Sequence, residues 1–484
     1  MEDTQKLAKS TLKGTLWNYT SFAVSKGLTF ISTLILARIL VPDDFGLLSM
    51  GLIAINYLDA LNEMGVGSAL IYQQGDLEKK SNIAFTISLS VNALLTLLAF
   101  LSAPAIGAFF NEPRIIPIVQ VLSFSFVLSS IGSIHSVRLK KELNFRKVFV
   151  PEIGRTFAKG GISIVCALLG WGVWSLVIGQ VSGILVSNVL YWVVVPYRPR
   201  LAWDRQEVKG LLGYGSQIIL VDLLGMFLQN IDYLIIGKRM ESTQLGYYTM
   251  AFRIPELVII NICVVVSRAL FPAFSRIQNN LEALRKGYLT TLRYISLITI
   301  PIGLGLFLLS KEFILMFYTD KWSASIPVMQ LLCLYAVVYA LGFNAGDIYK
   351  ATGKPWILNA MGAAKLVISV PILWAAAGIS IYAVAAAQLA INIFLTLVEL
   401  LVVAWIVKIK AVDILKSMQP AILSGLIMFI GVYILKSQMM GLQDWTRIIA
   451  LPIAGALLYG VTLWLTHRDV LRSFFQLAKG AVQA

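Results

Sequence analysis

Apolar runs of helical length, each closed by a short cluster of Pro, Gly, Asn or charged residues, recur along almost the whole chain. A helix needs ~20 apolar residues to cross the hydrocarbon core of a bilayer. The pattern predicts fourteen such helices, at 14–37, 45–70, 82–110, 115–137, 148–168, 172–195, 209–237, 245–268, 288–310, 324–349, 355–376, 380–407, 414–435 and 446–466. Several boundaries fall on residues that interrupt a helix: Val41-Pro42-Asp43-Asp44, Asn111-Glu112-Pro113, Gly170-Trp171-Gly172 and Gly353-Lys354-Pro355. No connecting stretch is long and polar enough to form a soluble domain. The expected fold is an all-α polytopic membrane protein.

The chain also resembles itself. Arg38-x7-Gly46-x3-Met50 matches Lys238-x7-Gly246-x3-Met250 at an offset of 200 residues. Ile116-Pro117-Ile118-Val119-Gln120-Val121-Leu122 matches Ile326-Pro327-Val328-Met329-Gln330-Leu331-Leu332 at 210, and Gly170-x3-Trp174-x5-Gln180 matches Gly378-x3-Tyr382-x5-Gln388 at 208. Three matches in order at nearly one offset point to a duplication of six helices. An even number keeps both copies in one orientation, so the expected relation is a pseudo-two-fold axis along the membrane normal. The organisation expected is an N-lobe at 1–205, a C-lobe at 206–407, and two appended helices with a tail at 408–484. Facing lobes are an architecture that supports alternating access.

Composition strengthens the membrane reading. Only 13% of residues are charged, against about 25% in soluble domains, and the mean hydropathy is +0.79. The net charge of +15 would suggest nucleic acid in a soluble protein, but here the Lys and Arg sit mainly in short loops. With residue 1 placed in the cytoplasm, cytoplasmic segments hold 26 of the 40 Lys and Arg and outer loops hold 8. That asymmetry places both termini inside. Residues 1–13 are of mixed charge and the first apolar run has no small-residue cleavage site, so the first helix is expected to be retained. Cys166, Cys263 and Cys333 all fall in apolar runs, where they read as core residues rather than disulfide or metal partners.

The remaining six basic residues lie inside predicted helices, where a charge at the bilayer centre costs about 2.5–3.5 kcal/mol on insertion scales. Lys26 and Lys365 are mid-helix and have no acidic neighbour at i±3 or i±4. Arg155 and Lys159 are i and i+4, so they share a helix face. Arg253 is followed at i+3 by Glu256, and the two could neutralise each other. Arg293 is near a helix end and could snorkel. Lys26, Arg155, Lys159, Arg253 and Lys365, drawn from both lobes, are the candidate anion-binding set. Asp59, Glu63, Asp222 and Glu256 are the candidate ion-coupling carboxylates. Each could equally be a static polar contact.

No phosphate-binding Gly-rich loop of the G-x-x-x-x-G-K-[ST] type occurs. Neither histidine, His135 or His467, lies beside a nucleophile or a carboxylate cluster. No catalytic residue, metal ligand or cofactor is expected beyond a coupling H+ or Na+. An enzyme is therefore a minor reading.

Leu34-Ile35-Leu36-Ala37-Arg38-Ile39-Leu40-Val41-Pro42-Asp43-Asp44-Phe45-Gly46-Leu47 resembles the first-loop signature of the polysaccharide transporter family, within the multidrug/oligosaccharidyl-lipid/polysaccharide exporter superfamily. Asn62-Glu63-Met64-Gly65-Val66-Gly67-Ser68-Ala69-Leu70-Ile71 and Leu245-Gly246-Tyr247-Tyr248-Thr249-Met250-Ala251-Phe252-Arg253-Ile254-Pro255 resemble that family's second-helix end and eighth-helix entry. The resemblance spans essentially the whole chain. It is strongest toward the branch with colanic acid and teichuronic acid exporters and lipopolysaccharide O-unit flippases. It implies a multi-pass protein of the bacterial inner membrane that flips an undecaprenyl-pyrophosphate-linked oligosaccharide to the outer leaflet. A polysaccharide polymerase is a candidate partner. The family's cavity is lined by helices 1, 2, 7 and 8, which carry Lys26, Asp59, Asp222 and Arg253 here. The alternatives are a drug/cation antiporter of the same superfamily and a membrane polymerase or ligase.

Overall fold

The computed structural model describes residues 2–62, 66–72, 75–205, 207–208, 227, 230–439, 441 and 444–472. They fall into two compact units, Met1–Gly246 and Tyr247–Ala484.

The first unit holds α1 (Glu2–Ile39), α2 (Pro42–Asn62), α3 (Val66–Tyr72), α4 (Leu77–Phe110), α5 (Ile115–Lys141), α6 (Phe145–Leu168) and α7 (Val173–Val194). Helical residues 230–239 and the first turn of α8 (Ser242–Pro255) also belong to it. The second unit continues α8 through a wider i→i+5 turn, Glu256–Ile260, into α9 (Asn261–Arg276). It then holds α10 (Leu281–Phe313), α11 (Ser325–Phe343), α12 (Ala345–Ala351), α13 (Trp356–Ala377), α14 (Ile381–Val407), α15 (Ala411–Gln438) and α16 (Asp444–Thr466).

Local chemistry sets many of these ends. Asp76 caps α4 by accepting from the Glu78 and Lys79 amides at 2.9 and 3.1 Å, and Asn111 closes it in the left-handed region at φ 55°. Asn280 caps α10 and Ser380 caps α14 in the same way. Gly170 and Gly172, both at positive φ, carry the turn between α6 and α7.

Burial follows the solvent a membrane supplies. On α14, Phe394, Leu397, Leu401 and Trp405 form an exposed apolar stripe, while Ile391, Asn392, Leu395, Thr396 and Val403 face inward. Apolar side chains outward and small or polar ones inward are what lipid on one side and backbone on the other demand. Gly179 and Gly183 of α7 let that helix approach α6, because a methyl on Gly183 would lie 2.9 Å from the Arg155 carbonyl. Asn188 of α7 donates to the Leu128 carbonyl of α5 at 2.6 Å.

Eleven helices among the described residues are long and apolar enough to cross a membrane. The other three expected spans have identifiable reasons. Predicted helix 7 lies largely outside the described residues. α2 carries Asp43, Asp44 and Asp59, and α6 carries Arg146, Lys147, Glu152, Arg155 and Lys159. The second predicted helix, expected over 45–70, is helical over Pro42–Asn62 and again in α3, and the residues between lie outside the described ones. One predicted helix needs correction. The tenth, expected to be continuous over 324–349, breaks at Asn344 between α11 and α12.

Candidate functional site

α1 and α6 pack against each other, and two contacts fix their register. The Trp17 and Phe149 rings meet edge-on at 5.2 Å, and a methyl on Gly160 would sit 2.8 Å from the Ser32 Cβ. Both pairs ascend together, so the helices run parallel. Lys26 lies between the two contacts on α1, and Arg155 and Lys159 lie between them on α6. Lys26 and Arg155 therefore lie at similar depth, with Lys159 one turn further along α6, and all three are half-buried.

Arg155 does not neutralise Glu152 by an ion pair. The Glu152 carboxylate instead accepts from the Tyr191 hydroxyl of α7 at 3.0 Å, and Arg155 lies within electrostatic reach of that hydroxyl. Lys26 stands over the Phe22 ring at 5.4 Å, a cation–π contact that holds the charge without cancelling it.

A second feature of this unit is the meeting of the two repeat copies at Pro42–Gly46 and Ser242–Gly246. A methyl on Gly46 would overlap the Ser242 carbonyl oxygen, and one on Gly246 would overlap the Pro42 carbonyl oxygen. Gly46 and Gly246, like Pro42 and Ser242, are 200 residues apart, so the contact is reciprocal about a local two-fold axis. Polar groups close around it. Arg114 reaches Asp43 and Glu112 at 2.7 Å each, and its second nitrogen lies 3.3 Å from the Ser242 Oγ. Ser242 also donates to Asp43. The Arg114 guanidinium, hydrogen-bonded to Glu112, holds that carboxyl below its usual range. A cavity of about 460 Å3, bordered by Asp43, Asn111, Arg114, Glu241 and Thr243, opens beside the contact.

In the second unit Arg253 is half-buried on α8 and lies within electrostatic reach of the Tyr318 hydroxyl. It makes no ion pair with Glu256 among the described residues. Glu256 opens the wide turn that follows Pro255, and its carbonyl accepts from the Asn261 side chain at 3.1 Å. Pro255 has no amide hydrogen to continue the α-helical ladder, and turns of this kind concentrate at functional sites.

Lys365 on α13 has a partner that sequence spacing could not supply. It interacts electrostatically with Glu399 of α14, whose carboxylate abuts Gly342 of α11 and whose carbonyl accepts from the Tyr349 hydroxyl at 3.1 Å. Asp59 is exposed on α2. Glu63 and Asp222 lie outside the described residues.

The polysaccharide biosynthesis protein family matches residues 35–327. The chain is 25% identical over 354 residues to the lipopolysaccharide biosynthesis protein WzxC of Escherichia coli (strain K12), covering 72% of this chain and 71% of that one. It is 25% identical over 404 residues to the teichuronic acid biosynthesis protein TuaB of Bacillus subtilis (strain 168), covering 82% and 83%. Among solved structures it superposes on the lipid II flippase MurJ with a TM-score of 0.74 at 16% identity, over 94% of this chain and 99% of that one. An inward-facing multidrug resistance transporter of the MATE family gives 0.66 at 16% identity, over 79% and 94%. These superpositions establish the fold.

Proposed function

The chain belongs to the polysaccharide biosynthesis protein family, and from that membership we propose that it is a flippase for a polyprenyl-pyrophosphate-linked oligosaccharide, working by alternating access in the bacterial plasma membrane. Its curated relatives are named for lipopolysaccharide and teichuronic acid biosynthesis, which supports a saccharide cargo for cell-surface polymers.

The observation that carries the reading is the clustering of Lys26, Arg155 and Lys159 on two packed helices, where the Glu152 carboxylate accepts from Tyr191 and makes no ion pair with Arg155. Cations held within a membrane span mark a polar path suited to an anion. A pyrophosphate supplies two negative phosphates on a lipid anchor, with sugars that need a polar path. A cation antiporter would call for the opposite sign of charge. Arg253, which makes no ion pair with Glu256 among the described residues, is a further half-buried cation in the second unit.

A charge-assisted contact is worth roughly 1.5–3 kcal/mol, so Arg253→Ala and Lys26→Ala should each weaken export about ten- to hundredfold in cells that accumulate the protein normally. Arg253→Lys should recover only part, because an ammonium lacks the bidentate fork. Glu256→Gln should be nearly silent. Restoration of export by combining Glu256→Gln with Arg253→Ala would show that Arg253 only balances a charge.

The charge distribution supports cytoplasmic termini, and in that orientation the Gly46/Gly246 crossing would face the outside. Cysteine introduced at Asn111 should react with an impermeant maleimide in intact cells, and cysteine at Asn144 should not. Labelling at position 144 would reverse the orientation.

A further inference from the structure

We propose that the non-helical strap at 195–204, which follows α7, binds the headgroup of an anionic phospholipid. Arg198 and Arg200 take its phosphate, and Leu201 and Trp203 lie among acyl chains at the membrane boundary.

The strap is pinned along the first turns of α4. Pro196 and Pro199 favour extended backbone in the residues before them, and Val195 is extended. The Arg138 guanidinium stands over the Tyr197 ring at 3.9 Å, and the Tyr197 hydroxyl donates to the Asn82 side chain of α4. The Arg200 amide donates to the same Asn82 oxygen at 2.9 Å, and the Ala202 amide donates to the Thr86 hydroxyl at 2.9 Å. Asp204 then meets Lys79 at 2.8 Å. Thr86 is seven residues beyond Lys79, ~10 Å at 1.5 Å per residue, so the strap climbs the flank of α4 and returns. Loop amides in water need no side-chain acceptors. At the edge of the hydrocarbon, where water is scarce, they do.

The helix face under the strap is one that lipid covers higher up. Leu97 and Phe100 lie 11 and 18 residues beyond Thr86 and Asn82, about three and five turns at 3.6 residues per turn, and both are exposed apolar side chains. The strap extends that apolar surface, because Leu201 is 71% and Trp203 68% exposed. The two are two residues apart, so extended backbone projects them to one side. Tryptophan is characteristic of this boundary.

Charge completes the match. The nearby carboxylates Asp204 and Glu207 are taken by Lys79 and Lys80 of α4, at 2.8 and 3.7 Å. Arg198, Arg200 and Arg205 are exposed and make no ion pair among the described residues. Arg198 is fixed in place, with Nη1 donating to the Val195 and Tyr197 carbonyls at 2.9 and 3.0 Å and the guanidinium over the Trp192 ring at 5.1 Å. A fixed guanidinium suits a phosphate. Cations beside exposed apolar side chains repeat the order of an anionic lipid, phosphate next to acyl chain. The link after the sixth helix of the second copy is only 408–410, between α14 and α15, so the longer strap is not required by the fold.

Native mass spectrometry of the purified full chain tests the site, by titration with phosphatidylglycerol and with phosphatidylcholine of the same acyl chains. The wild type should retain phosphatidylglycerol in preference. Arg198→Ala/Arg200→Ala should weaken that retention roughly tenfold or more, and Trp203→Ala should weaken retention of both lipids. Arg146→Ala/Lys147→Ala removes two exposed cations outside the strap and should change nothing. An equal loss in that control would show a general charge effect and overturn the site, as would a wild type without preference. Displacement of phosphatidylglycerol by inorganic pyrophosphate at matched ionic strength would assign the arginines to the cargo's phosphates instead. If the double arginine variant does not accumulate, a nitroxide on Leu201→Cys in phosphatidylglycerol bilayers decides. Its relaxation by oxygen and not by a soluble nickel chelate is expected, and the reverse would place the strap in water and overturn the proposal.

Discussion

Gly46→Ala should lower export by roughly tenfold or more while the protein still inserts and accumulates. The added methyl would fall on the Ser242 carbonyl, and a carbonyl in a helix's first turn cannot swing aside as a flexible side chain can. Overpacking at rigid contacts costs about 1–3 kcal/mol, and each 1.4 kcal/mol shifts a two-state equilibrium about tenfold. On the proposed alternating-access reading the crossing acts as a gate, so the balance lost would be that between closed and open. Gly246→Ala should act alike, since its methyl would meet the Pro42 carbonyl. Asp43→Asn should do less, because the Arg114 side chain is 56% exposed and exposed ion pairs contribute at most about 1 kcal/mol. Reactivity separates a gate from a mere packing contact: cysteine at Thr243 should become more accessible from outside in the Gly46→Ala background. Normal export by both glycine variants would remove the crossing from the transport cycle.

Glu312→Gln should destabilise the chain by about 3–5 kcal/mol, the usual result of stripping one partner from a buried ion cluster. Glu312 is 2% exposed. Its carboxylate receives Lys436 of α15 at 2.8 Å and faces Arg447 of α16 at 3.7 Å, so one anion on α10 holds both appended helices. Arg447 also meets Asp444 at 2.7 Å, but that group is half-exposed and offers Lys436 no counter-charge, leaving it only the Leu308 carbonyl. Thermal unfolding of the purified protein should show a large drop for Glu312→Gln. Adding Lys436→Met should recover much of it, because removing both charges also removes their burial cost. A melting temperature unchanged in Glu312→Gln would show that apolar packing alone, through Leu308, Met428, Val432 and Leu451, secures these helices.

Period and charge made the helices legible. The four-residue spacing of Arg155 and Lys159 placed them on one face of α6, a helix whose charges keep it off the apolar profile of the candidate spans. What could not be read were relations between helices. Glu399 is 34 residues from Lys365, and only the packing of α14 beside α13 brings the charges together. The break at Asn344 is silent in sequence because Gly342-Phe343-Asn344-Ala345 has no proline and the apolar run continues past it. Gly46 and Gly246 were visible as matching positions in a repeat, but their reciprocal contact is a property of the fold. Arg114, Asp43 and Ser242 went unnoticed for the same reason, since each alone is an ordinary loop or helix-end residue.

The central claim is movement of an anionic lipid-linked saccharide through a path lined by membrane-embedded cations. Its most direct test is translocation of a fluorescent polyprenyl-pyrophosphate oligosaccharide in proteoliposomes, read by quenching from one side. Wild-type protein should flip the pyrophosphate substrate, and a Lys26→Ala/Arg155→Ala/Lys159→Ala variant reconstituted to the same level should fall to the rate of protein-free liposomes. Equal rates for the wild type and that variant, or no flipping above the protein-free control, would contradict it.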